Sequence, residues 1–191
     1  MLRDTLLTSD DCILIAIDIQ NAFLDKLEPS QKENLLKRAC WLIEVARWLN
    51  IPRVVTAEDM TDLGSVHQDL QACLSDEEIY DKLTFSLAAQ KDILDAVKKT
   101  KRKTCILIGL ETDVCIAQSA FGLLQEGYQV AVIADATCSP RKAHQTGLQR
   151  IENAGGLIIQ TKALYYEWVR TVEKAKEFRL EHPGLAHPDS F

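Results

Sequence analysis

Three residues of this 191-residue chain have the types and placement for covalent chemistry: Asp18 in IAIDIQNAF, Lys82 in DKLTFSL and Cys115 in GLETDVCIAQSA. Each falls just after an apolar run that reads as a strand. A carboxylate can act as general base towards a thiol, and a lysine ammonium can hold that carboxylate ionised and stabilise the thiolate. The sulfur can then attack an acyl carbon. Cys115 is expected on the first turn of the helix that follows its strand. Free N–H groups and the helix dipole there favour a thiolate and can receive a developing oxyanion. Thr112 or Asp113 would cap that helix. Taken singly, each residue has a plainer account: Asp18 as a loop cap, Lys82 as an exposed lysine, Cys115 as a small buried hydrophobe.

The other polar residues at strand ends carry weaker signals. Asp18 could be a phosphatase-type nucleophile, but that chemistry wants a second carboxylate two residues on, where this chain has Gln20. The stretch TAEDMTDLGSVHQDL holds Glu58, Asp59, Asp62 and His67. One histidine is too few for a metal site of Asp and several His, so this reads as a solvated acidic loop, with Asp62 and Gly64 suited to a turn. Asp135 reads as structural and Cys138 as packing. Ser139 before Pro140 reads as a helix start. The six cysteines include no CxxC pair and no zinc-like cluster. Cys12, Cys40, Cys73 and Cys105 read as buried filler, and no disulfide framework is expected.

The elements that must position these residues alternate between strand and helix. Apolar runs at 12–18, 53–57, 104–110, 128–135 and 156–160 read as strands, with EIYDK at 78–82 as a short third strand. Amphipathic segments at 30–49, 87–99, 113–127, 139–154 and 163–179 read as helices, the first with Ser30 as its cap. Strands that are apolar throughout point to a parallel sheet covered on both faces, an α/β fold in one domain over residues 1–191. Ligands bind such folds outside the carboxyl ends of the strands. The tail EHPGLAHPDSF should be irregular, either disordered or draped over a surface.

Composition narrows the function. Hydrophobic residues make up 47% and charged residues 26% of the chain, as in an ordinary globular protein. The net charge is −6, and the cluster KKTKRKT at 98–104 reads as a solvated helix end rather than a nucleic-acid patch. No apolar run approaches the roughly 20 residues that span a bilayer. The start MLRDTLLTSDD has one Arg and three Asp and lacks a basic signal-like start. The expectation is a cytoplasmic protein that binds a small molecule, with no nucleic-acid or membrane partner.

On the motifs IAIDIQNAF, DKLTFSL and GLETDVCIAQSA, in that order and spacing, the chain resembles the isochorismatase-like cysteine hydrolases. That superfamily also holds nicotinamidases and N-carbamoylsarcosine amidases. The resemblance runs over about residues 10 to 165. It implies a three-layer α/β/α, Rossmann-like fold with a six-stranded parallel sheet in the order 3-2-1-4-5-6. It implies Asp18 as base, Lys82 as its charged partner and Cys115 as nucleophile. It also implies a cis Leu110–Glu111 peptide and an oxyanion hole made of the Glu111 and Cys115 N–H groups. Phe23, Gln20 and Leu110 would line the substrate pocket. Nicotinamidases carry an Asp-x-His element where this chain has TAEDM, so no catalytic metal and no cofactor are expected. True isochorismatases lack the Cys. The implied activity is a metal-independent hydrolase acting on a small amide, ureido compound or related acyl substrate through a thioester, in a homo-oligomer. The alternatives are a non-catalytic scaffold that keeps the fold, and thiol redox chemistry at Cys115.

Overall fold

The computed structural model describes residues 6–74 and 79–191. Six parallel strands form one sheet: β1 (Cys12–Ile17), β2 (Arg53–Glu58), β3 (Ile79–Lys82), β4 (Thr104–Leu110), β5 (Gln129–Cys138) and β6 (Leu157–Ile159), in the order β3-β2-β1-β4-β5-β6. Alternate residues of a strand point to opposite faces. Along β1, Cys12, Leu14 and Ala16 join one apolar cluster and Ile13, Ile15 and Ile17 join the other. That is why CILIAI is apolar without alternation. The helices α2 (Pro29–Trp48), α8 (Thr161–Val169) and α9 (Val172–Glu181) supply the first cluster. The helices α5 (Lys91–Lys99), α6 (Ala117–Gln125) and α7 (Ala143–Asn153) supply the second. The result is the α/β/α sandwich and strand order expected from the sequence.

Several boundaries differ from the sequence reading, each for a local reason. The strand placed at 78–82 begins at Ile79, since Glu78 lies outside the described residues. The first long helix starts at Pro29, not after Ser30. Its cap is Glu28, whose backbone N–H donates to Gln31 Oε1 at 3.2 Å in a reciprocal capping box, with Pro at the first helical position. β5 continues past Asp135 to Cys138, with a register shift opposite Leu107 and Gly109. Asp135 sustains that extension: its carboxylate accepts from the Thr161 N–H at 2.8 Å and Oγ1 at 2.9 Å, and pairs with Arg38 at 3.1 Å. The helix expected from Ser139 therefore starts at Ala143. The last helix divides into α8 and α9 at Arg170, which has φ 63°, and Thr171 caps α9 by accepting from the Lys174 N–H.

The tail drapes over the chain's own body. The Trp41 indole donates to the Ala186 carbonyl at 2.9 Å, and the Phe191 ring packs on Trp41 with centroids 5.0 Å apart. Cys12, Cys105 and Cys138 are buried as read, whereas Cys40 and Cys73 are only half-buried. Among the described residues, no helix is long and apolar enough to cross a membrane.

The two ends of the sheet differ in character. At the amino ends, the chain enters β2, β4, β5 and β6 through turns holding Asn50, Lys101, Gly127 and Gly155, all with positive φ. The cluster at 98–103 lies at this end, over the last turn of α5 and the approach to β4. The carboxyl ends of β1, β2, β3 and β4 carry Asp18, Glu58, Lys82 and the turn that bears Cys115.

Candidate active site

Register brings the charged groups together. Ile17 pairs with Thr56 and with Gly109, and Glu58 pairs with Lys82. Asp18 leaves β1 at φ 51° and is wholly buried. One of its oxygens accepts from Thr56 Oγ1 at 2.9 Å and the other pairs with Lys82 Nζ at 2.9 Å. The Lys82 ammonium also donates to the Thr84 carbonyl at 2.7 Å, lies 3.4 Å from Glu58 Oε2 and stands 3.9 Å from Cys115 Sγ. Gly109 makes the approach of β4 to β1 possible. Its φ is 117°, and a Cβ there would sit 2.0 Å from the Ile17 carbonyl oxygen.

Cys115 lies in a π-helical turn, Thr112–Ile116, that follows the cis Leu110–Glu111 peptide and leads into α6. A turn of this kind re-aims one residue relative to a regular helix and is frequent at functional sites. It is held from outside. Ser139 Oγ donates to Asp113 Oδ1 at 2.6 Å and accepts from the Asp113 N–H at 3.3 Å. Thr112 Oγ1 meets His144 Nδ1 at 2.8 Å. Gly147 of α7 packs directly on the turn, where a Cβ would lie 2.8 Å from the Asp113 nitrogen. Thr112 and Asp113 therefore tie the turn to its neighbours and do not cap it, and Ser139 serves this clamp rather than a helix start.

Electrostatics corrects one expectation. Burial, and then the Asp18 charge, push the Cys115 thiol well above its ordinary value; Lys82 opposes this, and Glu58 adds to the rise. Cys115 thus rests as a thiol, because loss of solvent and two adjacent carboxylates outweigh the ammonium and the start of the helix. Burial also raises the Asp18 carboxyl, against the pull of Lys82 and Thr56. Burial works against the Lys82 ammonium, but Asp18, Cys115 and Glu58 outweigh it and hold its pKa above the ordinary lysine value.

Glu58 is the residue that sequence reasoning missed. It was grouped with a solvated acidic loop, yet its Oε2 accepts from Cys115 Sγ at 3.2 Å. The signal was its place: it ends β2, one residue before the turn residue Asp59, in the same layer as Lys82. Asp59 and His67 are local instead, capping the short helices α3 (Met60–Leu63) and α4 (Gln68–Gln71). Gln20 is wholly buried, and its amide is spent on backbone. It donates to the Glu58 and Gly64 carbonyls at 2.8 and 2.7 Å and accepts from the Glu58 N–H at 2.7 Å. It therefore braces Glu58 and has no donor left for a ligand. Leu110 ends β4 inside the core. Phe23, in the short helix α1 (Asn21–Leu24), carries the Lys26 ammonium 4.6 Å from its ring centroid, and Lys26 pairs with Glu111 at 3.2 Å. A polar cleft of about 820 Å³ adjoins this pair, lined by Lys26, Glu28, Glu111, Asp113 and Arg141 among others.

The ligand atoms of Asp18, Glu58 and Cys115 lie within 4.8 Å of one another, close enough to consider a cation. Lys82 decides against it. Its ammonium contacts all three donors, so a dication would have to displace a buried positive charge already paired with both carboxylates. The donor set does not fit a metal.

An isochorismatase domain model matches residues 12–163. The chain is 31% identical over 170 residues to isochorismatase family protein 2A of Dictyostelium discoideum, covering 84% of each chain. Among solved structures it is similar to the MAR1 ribonuclease of Caenorhabditis elegans, with a TM-score of 0.84 and 26% identity over 95% of this chain and 93% of that one. It is also similar to the YcaC gene product of Escherichia coli, described as an octameric hydrolase of unknown specificity, with a TM-score of 0.82 and 25% identity over 94% and 92%.

Proposed function

The chain belongs to the isochorismatase family of hydrolases, and from that premise we propose that it cleaves a small amide, ureido compound or related acyl substrate through a thioester on Cys115. The observation that carries this reading is the meeting of Asp18, Lys82 and Cys115 from three different strand ends, at 2.9 and 3.9 Å from one ammonium. In this mechanism Cys115 Sγ attacks the carbonyl carbon while its proton passes to Asp18. Lys82 keeps Asp18 an effective base and offsets the charge that gathers at sulfur. The N–H groups of Cys115 and of Glu111 would receive the oxyanion. Collapse expels the amine, which takes the proton from Asp18, and water then releases the acid. Phe23 and the Lys26–Glu111 pair would border the substrate.

The C. elegans neighbour is described as a ribonuclease. The basic cluster here lies at the opposite end of the sheet from Cys115, which supports a small molecule over a nucleic-acid strand. A homo-oligomer is proposed as well: the E. coli neighbour is octameric, and Leu83 and Phe85, beside Lys82, are 71% and 53% exposed.

The test is intact-mass measurement after incubation with a panel of small amides, ureas and activated acyl compounds, beside a Cys115→Ala control. A transient adduct that requires Cys115 is the expected result. If the wild-type protein turns over a substrate and Cys115→Ala does so equally well, the thioester is wrong.

A further inference from the structure

We propose that Glu58 is a further catalytic residue: the base that activates water to hydrolyse the thioester and then returns the proton to the Cys115 sulfur. The inference rests on the thioester reading above and adds a separate group for its second half. Three observations carry it. Cys115 Sγ donates to Glu58 Oε2 at 3.2 Å, so a proton can pass between this carboxylate and the sulfur along a contact that already exists. The Glu58 side chain keeps 19% of its exposure while that of Asp18 keeps 1%, so water reaches Glu58 far more readily. Asp18 Oδ1 accepts from Thr56 and Oδ2 is held in the Lys82 ion pair, whereas Glu58 Oε1 has neither a hydrogen bond nor an ion pair among the described residues. Gln20 fixes the Glu58 backbone through its N–H and its carbonyl, so the carboxylate is aimed and not merely present.

The atoms balance. After acylation the leaving amine has taken the proton from Asp18, and Glu58 is a carboxylate beside the thioester. Water adds to the thioester carbon as one O–H proton moves to Glu58. The tetrahedral intermediate collapses, the C–S bond breaks, and the departing thiolate takes the proton from Glu58. The acid leaves, and the thiol is again hydrogen-bonded to the carboxylate. No external oxidant, reductant or metal enters this sequence. Asp18 serves the first proton transfer and Glu58 the second, which explains why two carboxylates flank one thiol.

The test uses p-nitrophenyl acetate as the acyl probe on the full chain, with Glu58→Gln, Glu58→Asp and Cys115→Ala. Wild type should give a burst of nitrophenol followed by turnover. Glu58→Gln should keep the burst rate within about threefold and lose on the order of 100-fold in the steady rate, with acetyl-Cys115 accumulating by mass. Glu58→Asp should recover part of the steady rate. Matching melting curves exclude a folding defect. If Glu58→Gln slows the burst as much as the steady rate, or changes neither, Glu58 is not the deacylation base and the proposal is overturned while the thioester stands. If wild type shows no release that depends on Cys115, the thioester reading itself falls, and the role of Glu58 with it.

Discussion

Cys115 rests as a protonated, buried sulfur between two carboxylates, so its reactivity depends on where its proton can go. This makes Asp18→Asn informative. The variant should slow acylation of Cys115 by about 10²–10⁴-fold. It should also cost stability, up to about 3 kcal/mol, because the buried Lys82 ammonium is left with only Glu58 as a carboxylate partner. Burst kinetics below the melting transition separate the two effects, and an unchanged burst would remove Asp18 from the mechanism. The buried thiols also have a thermodynamic consequence. Burial pushes Cys12 up to about 11, so between its ordinary value near 9 and 11 the folded chain holds a proton that the unfolded chain releases. Stability must then fall as pH rises through that window, by up to about 1.4 kcal/mol per pH unit for such a thiol. Urea midpoints at pH 8 and 10.5 should show this decline, and Cys12→Ala should make it shallower. An equal slope in the variant would contradict the assignment. At this scale the sequence marked Asp18, Lys82 and Cys115 by their places at strand ends, and the structure brings the three side chains together. Glu58 was not legible, because acidic neighbours give it the look of a solvated loop. The backbone bonds of Gln20 were not legible either, because a buried amide serving backbone has no sequence signature.

The central strands β1 and β4 were legible because a core on both faces demands unbroken apolar runs, and the edge strand β3, IYDK, is not such a run. Helix ends were harder. Arg170 breaks the last helix with a left-handed backbone and neither Gly nor Pro to announce it. β5 runs on to Cys138 because Asp135 finds donors on α2 and α8, a tertiary bond with no local signal. The clamp between α7 and the π-helical turn is another such contact, and Gly147→Ala tests it. On helix propensity alone the change should stabilise by up to about 1 kcal/mol. Here the new methyl meets backbone at 2.8 Å, so a net loss of about 1–3 kcal/mol is expected. The displaced turn should lower the acylation rate as well. A raised melting temperature with unaltered kinetics would show that α7 does not position Cys115.

Across the whole molecule, the proposed chemistry and the proposed assembly surface fall at one end of the sheet. Leu83 and Phe85 stand exposed just beyond the end of the edge strand β3, next to Lys82, and the proposed oligomer would bury them against a second copy. The expected native mass is therefore a multiple of the chain's own. Leu83→Glu with Phe85→Glu should shift it to a single copy; a wild-type protein that runs as one copy at micromolar concentration would defeat the assignment. The opposite end carries none of these duties. The turns at Asn50, Lys101, Gly127 and Gly155 lie roughly 20 Å from Cys115, about the length of β4. They are the natural points for a new chain opening, an inserted tag or a tether to a solid support. A single copy anchored there would present the carboxyl ends of its strands, and the turn that bears Cys115, outward to the passing solution.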